Sequence, residues 1–428
     1  MSIAGTADRH PFEAGSKALG RAFLHVQAVR LLDMLVGFWI FTGCLVFVEP
    51  SPYELSFLAV LPVAFMAGMG LYRSTLGLLL IFVGFIPFAL IGAFQVRFMA
   101  LDDALIFVIV TIFLLLTSYF IANYVAEKTE QRMRLVIGAY TGAALVSAIV
   151  GILAYLGLMP GADAFLLYGR AKAMFNDPNV FGPFLVLPAM YALQRVLLAR
   201  GWTAFWAASI YMVLFIGVFV SFSRAAWGHF AFSSLIVLAL CFWLEARAHE
   251  KVRIMLMTLI GLAVLLVALA GLLSIPAVSD LFEVRAAGQS YDSGETGRFG
   301  RQGYAWELAI AHPWGIGPKE FSFMRVTELP HNVYVNVLHA YGWGGGFVYY
   351  LLVISTLWLA FSSLRFPSRF RPMMIPLVAT FAMVAAESAI IDSDHWRHYF
   401  LVAGLVWGVA AAIRNDAGRS GAARGPLI

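Results

Sequence analysis

The side chains best placed to do chemistry are one histidine and a set of arginines. Arg224 ends the stretch Val220-Ser-Phe-Ser-Arg224, a very short turn between two apolar runs. An ionisable residue held there is costly, and so is a functional candidate; snorkelling to the interface is the plainer alternative. Arg298 and Arg301 stand three apart in Gly297-Arg-Phe-Gly-Arg-Gln-Gly-Tyr-Ala-Trp306, and share a face if a helix begins early. His331 and Asn332 follow Leu329-Pro330 and open a short apolar helix, Val333 to Tyr341, that Gly342 terminates. A guanidinium binds phosphate oxygens two at a time and keeps its charge. An imidazole at a helix N-terminus is favoured neutral, and a neutral imidazole can take a proton from a hydroxyl. The combination suits a reaction in which an anionic leaving group is held while an acceptor hydroxyl is deprotonated. Capping is the simpler role for His331 or Asn332, and pairing with Glu295 or Asp292 the simpler role for one of the two loop arginines.

A second tier surrounds these. Arg170 and Lys172 precede Asn176-Asp-Pro-Asn179, where Pro178 suits the first turn of a helix. That turn is good helix-start chemistry, and it also offers amide and backbone donors to a glycan or phosphate. Lys319 follows Trp314-Gly-Ile-Gly-Pro318, a tight turn whose glycines allow close approach or positive φ. Asp392, Asp394, His395, Arg397 and His398 form a last polar turn, but their spacing matches no specific metal motif. No phosphate-binding loop, nucleotide fingerprint or Ser-His-Asp logic is readable. The expectation is therefore no cofactor, no metal and no nucleic acid. Cys44 and Cys241 each fall inside an apolar run and suggest neither a disulfide framework nor a thiolate site.

These residues need a scaffold, and the composition says which kind. Hydrophobic residues make up 61% of the 428 and charged residues 12%, against about 25% charged in soluble domains. The fold class expected is an all-α polytopic membrane protein. A helix needs about 20 mostly apolar residues to span the hydrocarbon core. Twelve stretches qualify: 30–48, 54–71, 75–95, 103–126, 135–158, 179–199, 203–222, 226–245, 254–274, 342–364, 373–391 and 396–413. Most Lys and Arg residues fall on one side if the N-terminus is inside. The chain then divides into a cytoplasmic tail over 1–29, nine spans over 30–274, a polar outer loop with short helices over 275–341, three spans over 342–413 and a second cytoplasmic tail over 414–428. The first 29 residues lack the apolar core of a signal peptide and suit a tail, with a short amphipathic helix near Leu19 to Leu32. Basic residues on the outer side run against the statistical preference, and suggest a site for phosphate, pyrophosphate or an acidic sugar.

From Arg170 to Tyr350 the sequence resembles the superfamily of O-antigen ligases and exopolysaccharide polymerases of bacterial envelopes. The resemblance rests on Asn176-Asp-Pro-Asn179, Ser223-Arg224, Gly297-Arg298 ahead of His312-Pro313, Gly315-Ile-Gly317, and His331-Asn332 followed by the run from Gly342 to Gly346. It implies an inverting glycosyl transfer at the periplasmic face of the inner membrane. The donor would be a glycan on undecaprenyl pyrophosphate, and the acceptor either lipid A-core or a second lipid-linked glycan. It implies His331 as base and Arg224 and Arg298 as essential arginines, with Arg301 as the alternate because Gln302 stands where the family often has tryptophan. Arg170, Lys172, Asn179, Asn332 and Lys319 are the further substrate-binding candidates. Partners would be the bilayer and an envelope polysaccharide assembly complex. A transporter or flippase for a lipid-linked or acidic solute is the competing class. Such proteins place charge at mid-membrane in broken helices, whereas here Asp33 and Glu387 lie near span ends. A scaffold of an envelope complex would need no arginine cluster.

Overall fold

The computed structural model describes residues 11–47, 50–286, 294, 297–324 and 328–422, and of 11–22, 277 and 419–422 only the backbone. Asp292, Glu295 and Arg325 lie outside the described residues, as do 1–10 and 423–428 of the two tails. The chain is an all-α polytopic membrane protein. Its helices are α1 Pro11–Thr42, α2 Pro52–Met66, α3 Leu76–Ala93, α4 Leu101–Glu127, α5 Thr129–Tyr155, α6 Pro178–Phe184, α7 Val186–Leu198, α8 Trp202–Val220, α9 Arg224–Leu240, α10 Ala248–Leu273, α11 Pro276–Ala286, α12 Arg298–Ala311, α13 Val333–Ser363, α14 Arg371–Glu387 and α15 Arg397–Ala422. A two-residue hairpin, β1 Leu166–Leu167 and β2 Arg170–Ala171, precedes α6.

Each of the twelve expected spans falls on helix, but among the described residues ten are long and apolar enough to cross a membrane. The other two are α2, with 15 residues, and α14, with 17. At 1.5 Å per residue these reach about 22 and 25 Å, short of a hydrocarbon core of about 30 Å. The apolar runs continue past the helix ends into turns, so hydropathy alone overstates their length. At the other end of the chain α1 is longer than expected. No proline interrupts the sequence after Pro11 until Pro50, and the helix is continuous through the segment read as a tail.

Helix caps do most of the local positioning. Ser223 caps α9, its Oγ accepting from Ala226 N, so Arg224 is the first helical residue. Asp177 caps α6, with Pro178 at the first position. Asn332 caps α13, its Oδ1 accepting from Tyr334 N at 3.1 Å and Val335 N at 3.3 Å. Each cap satisfies amides that a helix start leaves without partners.

The polar loop contains α11 and α12 and is fastened to the bundle at several points. Phe282 of α11 stacks on Trp227 of α9 at 5.6 Å between ring centroids. The carboxylate of Glu320, fully buried, accepts from the amides of Arg97 and Phe98 at 2.8 Å each and Met99 at 3.0 Å. The turn after α12 docks on a break in α13, where Gly342 has φ 71° and ψ −178°. Ile316 N donates to His339 O at 2.7 Å and Trp343 N to Pro313 O at 2.9 Å. A Cβ at Gly342 would stand 2.4 Å from Pro313 O, so both the positive φ and the close approach require glycine.

Candidate active site

The capped helix starts converge on a cavity of about 990 Å³. Arg170, Arg224, Arg285 and Arg298 line it, with His331, Asn179 and the carboxylates of Asp177, Glu328, Glu387 and Asp392. Arg224 and Arg298 are the first residues of α9 and α12. Helix N-termini present unpaired amides and a positive dipole end, so each arginine adds its charge where the backbone already favours an anion.

Arg170 is fixed by its neighbours: Nε donates to Ser221 O at 2.9 Å and a terminal nitrogen to Asn179 Oδ1 at 2.8 Å. Burial, and then the charge of Arg285, lower its pKa to about 10, which leaves the guanidinium charged near neutrality. Three of the acids have these contacts. Asp177 accepts from Asn179 N at 2.6 Å, Glu328 from Arg301, and Glu387 pairs with His229.

His331 is paired with Asp392, Nδ1 to Oδ2 at 2.7 Å. A carboxylate only accepts, so Nδ1 carries the hydrogen of this contact, and in the neutral ring Nε2 is the basic nitrogen. Glu328 Oε2 lies 4.0 Å from Nε2, beyond hydrogen-bond reach. His331 has φ 51°, and Tyr168 and Phe222 on the cavity wall have φ 51° and 46°. Left-handed backbone is uncommon outside glycine, and it clusters at sites whose surroundings over-determine the geometry.

The structure thus gathers His331, Arg224, Arg298, Arg170 and Asn179 around one cavity. The other candidates lie elsewhere. Arg301 is 2% exposed and grips Glu328 behind the wall. Asn332 caps α13 and contacts Gln302, whose amide also donates to His331 O at 3.2 Å. Lys172 does not line the cavity; its backbone N closes the hairpin segment on Phe165 O at 3.0 Å. Lys319 has its Nζ 4.9 Å from the ring centre of Phe107.

Asp392 was legible only as one acid among several. Its role as partner of His331 depends on the turn between α14 and α15 meeting the loop. Arg285 was visible as a loop cation, but not the stacking of Phe282 that seats it. The His229–Glu387 pair went unread because a histidine inside an apolar run barely lowers its hydropathy.

The rest of the last polar turn is buried support. His395 stacks on Phe107 at 3.8 Å and its Nε2 lies 2.7 Å from Thr111 Oγ1. Burial first, then Lys319 and Arg397, push its pKa down to about 3, so the ring stays neutral. Asp394 accepts from Asn336 Nδ2 at 3.1 Å. Burial, then the charge of Asp392, push its carboxyl up to about 7 from an ordinary 3.8. A folded pKa above the unfolded one withdraws stability as pH rises from about 4 through about 7. Asp394→Asn removes that loss. Its melting temperature in detergent is expected to exceed that of the wild type at about pH 8 and to converge with it at about pH 4.

Residues 207–350 match the family model described as O-antigen ligase. The match supports the O-antigen ligase superfamily. It spans Arg224, Arg285, Arg298 and His331, four residues of the cavity wall, and it supports glycan transfer of the O-antigen ligase or polymerase type in general. Arg170, Asp177, Asn179, Glu387 and Asp392, polar residues of the same wall, lie outside it. No curated protein matches the chain.

Proposed function

We propose that the protein transfers a glycan from undecaprenyl pyrophosphate to an acceptor hydroxyl, with inversion, at the periplasmic face of a bacterial inner membrane. It is an enzyme of the O-antigen ligase or surface polysaccharide polymerase type. The acceptor is lipid A-core in the first case and a second lipid-linked glycan in the second. Both termini are cytoplasmic, and the polar loop over 275–341 is periplasmic.

The observation that carries this reading is a His–Asp pair opening onto the same cavity as four arginines. His331 Nε2 takes the proton of the acceptor hydroxyl, and Asp392 steadies the imidazolium that forms. The acceptor oxygen bonds to the anomeric carbon from the face opposite the pyrophosphate. The bond from that carbon to the pyrophosphate oxygen breaks, and its electron pair leaves with undecaprenyl pyrophosphate. Arg224 and Arg298 hold the departing charge, helped by Arg170 and Arg285. A diphosphate is already a competent leaving group, so fixed cations and one positioned base are sufficient. Asn179 and Arg301 hold Arg170 and Glu328 in place.

The test is direct. Purified protein is given undecaprenyl-pyrophosphate-linked glycan and, in parallel, lipid A-core or a second portion of the same donor as acceptor. Release of undecaprenyl pyrophosphate together with glycan on one acceptor is expected. Release with neither acceptor would overturn the assignment.

A further inference from the structure

The cavity contains a second histidine–carboxylate pair that the mechanism above leaves unused. His229 of α9 and Glu387, the last residue of α14, meet through Nδ1 and Oε2 at 2.7 Å. Both line the cavity, yet they are only 2% and 5% exposed. Their remaining polar atoms, His229 Nε2 and Glu387 Oε1, are buried and have no hydrogen-bond partner among the described residues. Ionisable side chains inside membrane helices are expensive and mark functional positions by default. Buried polar atoms are almost always satisfied, and an exception calls for a missing partner. A pair serving only to fasten α9 to α14 would not leave two buried polar atoms unsatisfied on residues of a cavity wall.

The chemistry of the open atoms specifies the partner. The carboxylate accepts the Nδ1 hydrogen, so Nε2 of the neutral ring is an acceptor, and Glu387 Oε1 is a second acceptor. Two acceptors call for two donors on the ligand. His229 stands five residues beyond Arg224 on the same helix, about 7.5 Å along its axis, and so meets a different part of the ligand than the arginine does. Room exists there: Ala225, Gly228 and Ala386 line this part of the wall, and a Cβ on Gly228 would meet nothing within 4 Å.

The geometry points to a subsite in which His229 and Glu387 bind the sugar ring attached to the pyrophosphate, through hydroxyl or amide donors of that ring. This rests on the reading of the cavity as a lipid-linked glycan site. The pair recognises the donor sugar, while the arginines recognise the pyrophosphate.

The test compares two ligands, without acceptor, on the full-length protein in detergent. One is bare undecaprenyl pyrophosphate. The other is the undecaprenyl-pyrophosphate-linked glycan extracted from source cells lacking this protein. His229→Asn keeps a hydrogen-bonding atom near the position of Nδ1 and deletes Nε2; Glu387→Gln replaces one acceptor with an amide. Each is expected to weaken the glycan-linked ligand about tenfold, the loss of one hydrogen bond, with binding of the bare lipid unchanged. The unchanged bare-lipid binding also certifies that the variants fold. Equal weakening of both ligands would overturn the subsite and make the pair a packing element. No weakening of either would overturn it in favour of water on the open atoms. Failure of the wild type to bind either ligand would overturn the underlying reading of the cavity, which is a separate and recognisable result.

Discussion

His331→Ala is expected to lower turnover about a thousandfold, within the range that a positioned general base supplies, while the protein still binds undecaprenyl pyrophosphate. The two halves of that result come from different residues. On the proposed mechanism the base is one imidazole, paired with Asp392 at 2.7 Å. On the same mechanism the pyrophosphate would be held by arginines on other elements, which the substitution leaves alone. Steady-state release of undecaprenyl pyrophosphate, measured beside equilibrium binding of the same lipid, separates the effects. Alanine must also adopt the left-handed backbone of position 331, with φ 51°, so melting temperature is the third measurement. Turnover near the wild-type level in a well-folded variant would remove His331 from the mechanism.

Arg224→Ala is expected to cost about a hundred- to thousandfold in turnover, the usual effect of removing one preorganised stabiliser of developing charge. Here binding of the lipid pyrophosphate should weaken as well, because the guanidinium meets charge already present in the ground state. Arg224→Lys should recover only part of the loss: an ammonium restores the charge but not the planar fork that matches two phosphate oxygens. Measuring kcat and KM for both variants checks this. If Arg224→Ala altered neither constant, the anion site would have to be sought elsewhere on the wall.

Much of this site was legible because its residues are signalled locally. Asp177-Pro178, Ser223-Arg224 and Asn332 are helix-start signals, and helices start at each. Gly342 reads as a stop, and the helix axis breaks there. The overall architecture was legible for the same reason, since apolar runs fall on helices wherever they occur. What remained hidden was pairing across the chain. Arg298 and Arg301 are equivalent on paper, yet one lines the cavity and the other is sunk against Glu328. That difference depends on which face of α12 meets the bundle. His331 could be ranked as a base, but the acid that orients it comes from the turn before the last helix. His229 and Glu387 are unremarkable in their own runs, and become a pair only because α9 packs on α14.

That late-arriving turn sets a condition on biosynthesis. A membrane chain is made and inserted from its N-terminus, and its segments assemble in turn. The stretch that matches the family model ends at residue 350, but the base has no Asp392 until the segment between α14 and α15 has emerged and folded back. A ribosome-bound intermediate would therefore contain the four cavity arginines before His331 meets Asp392. On the proposed mechanism, competence to react would arrive with the final helix pair, which also completes the cavity wall.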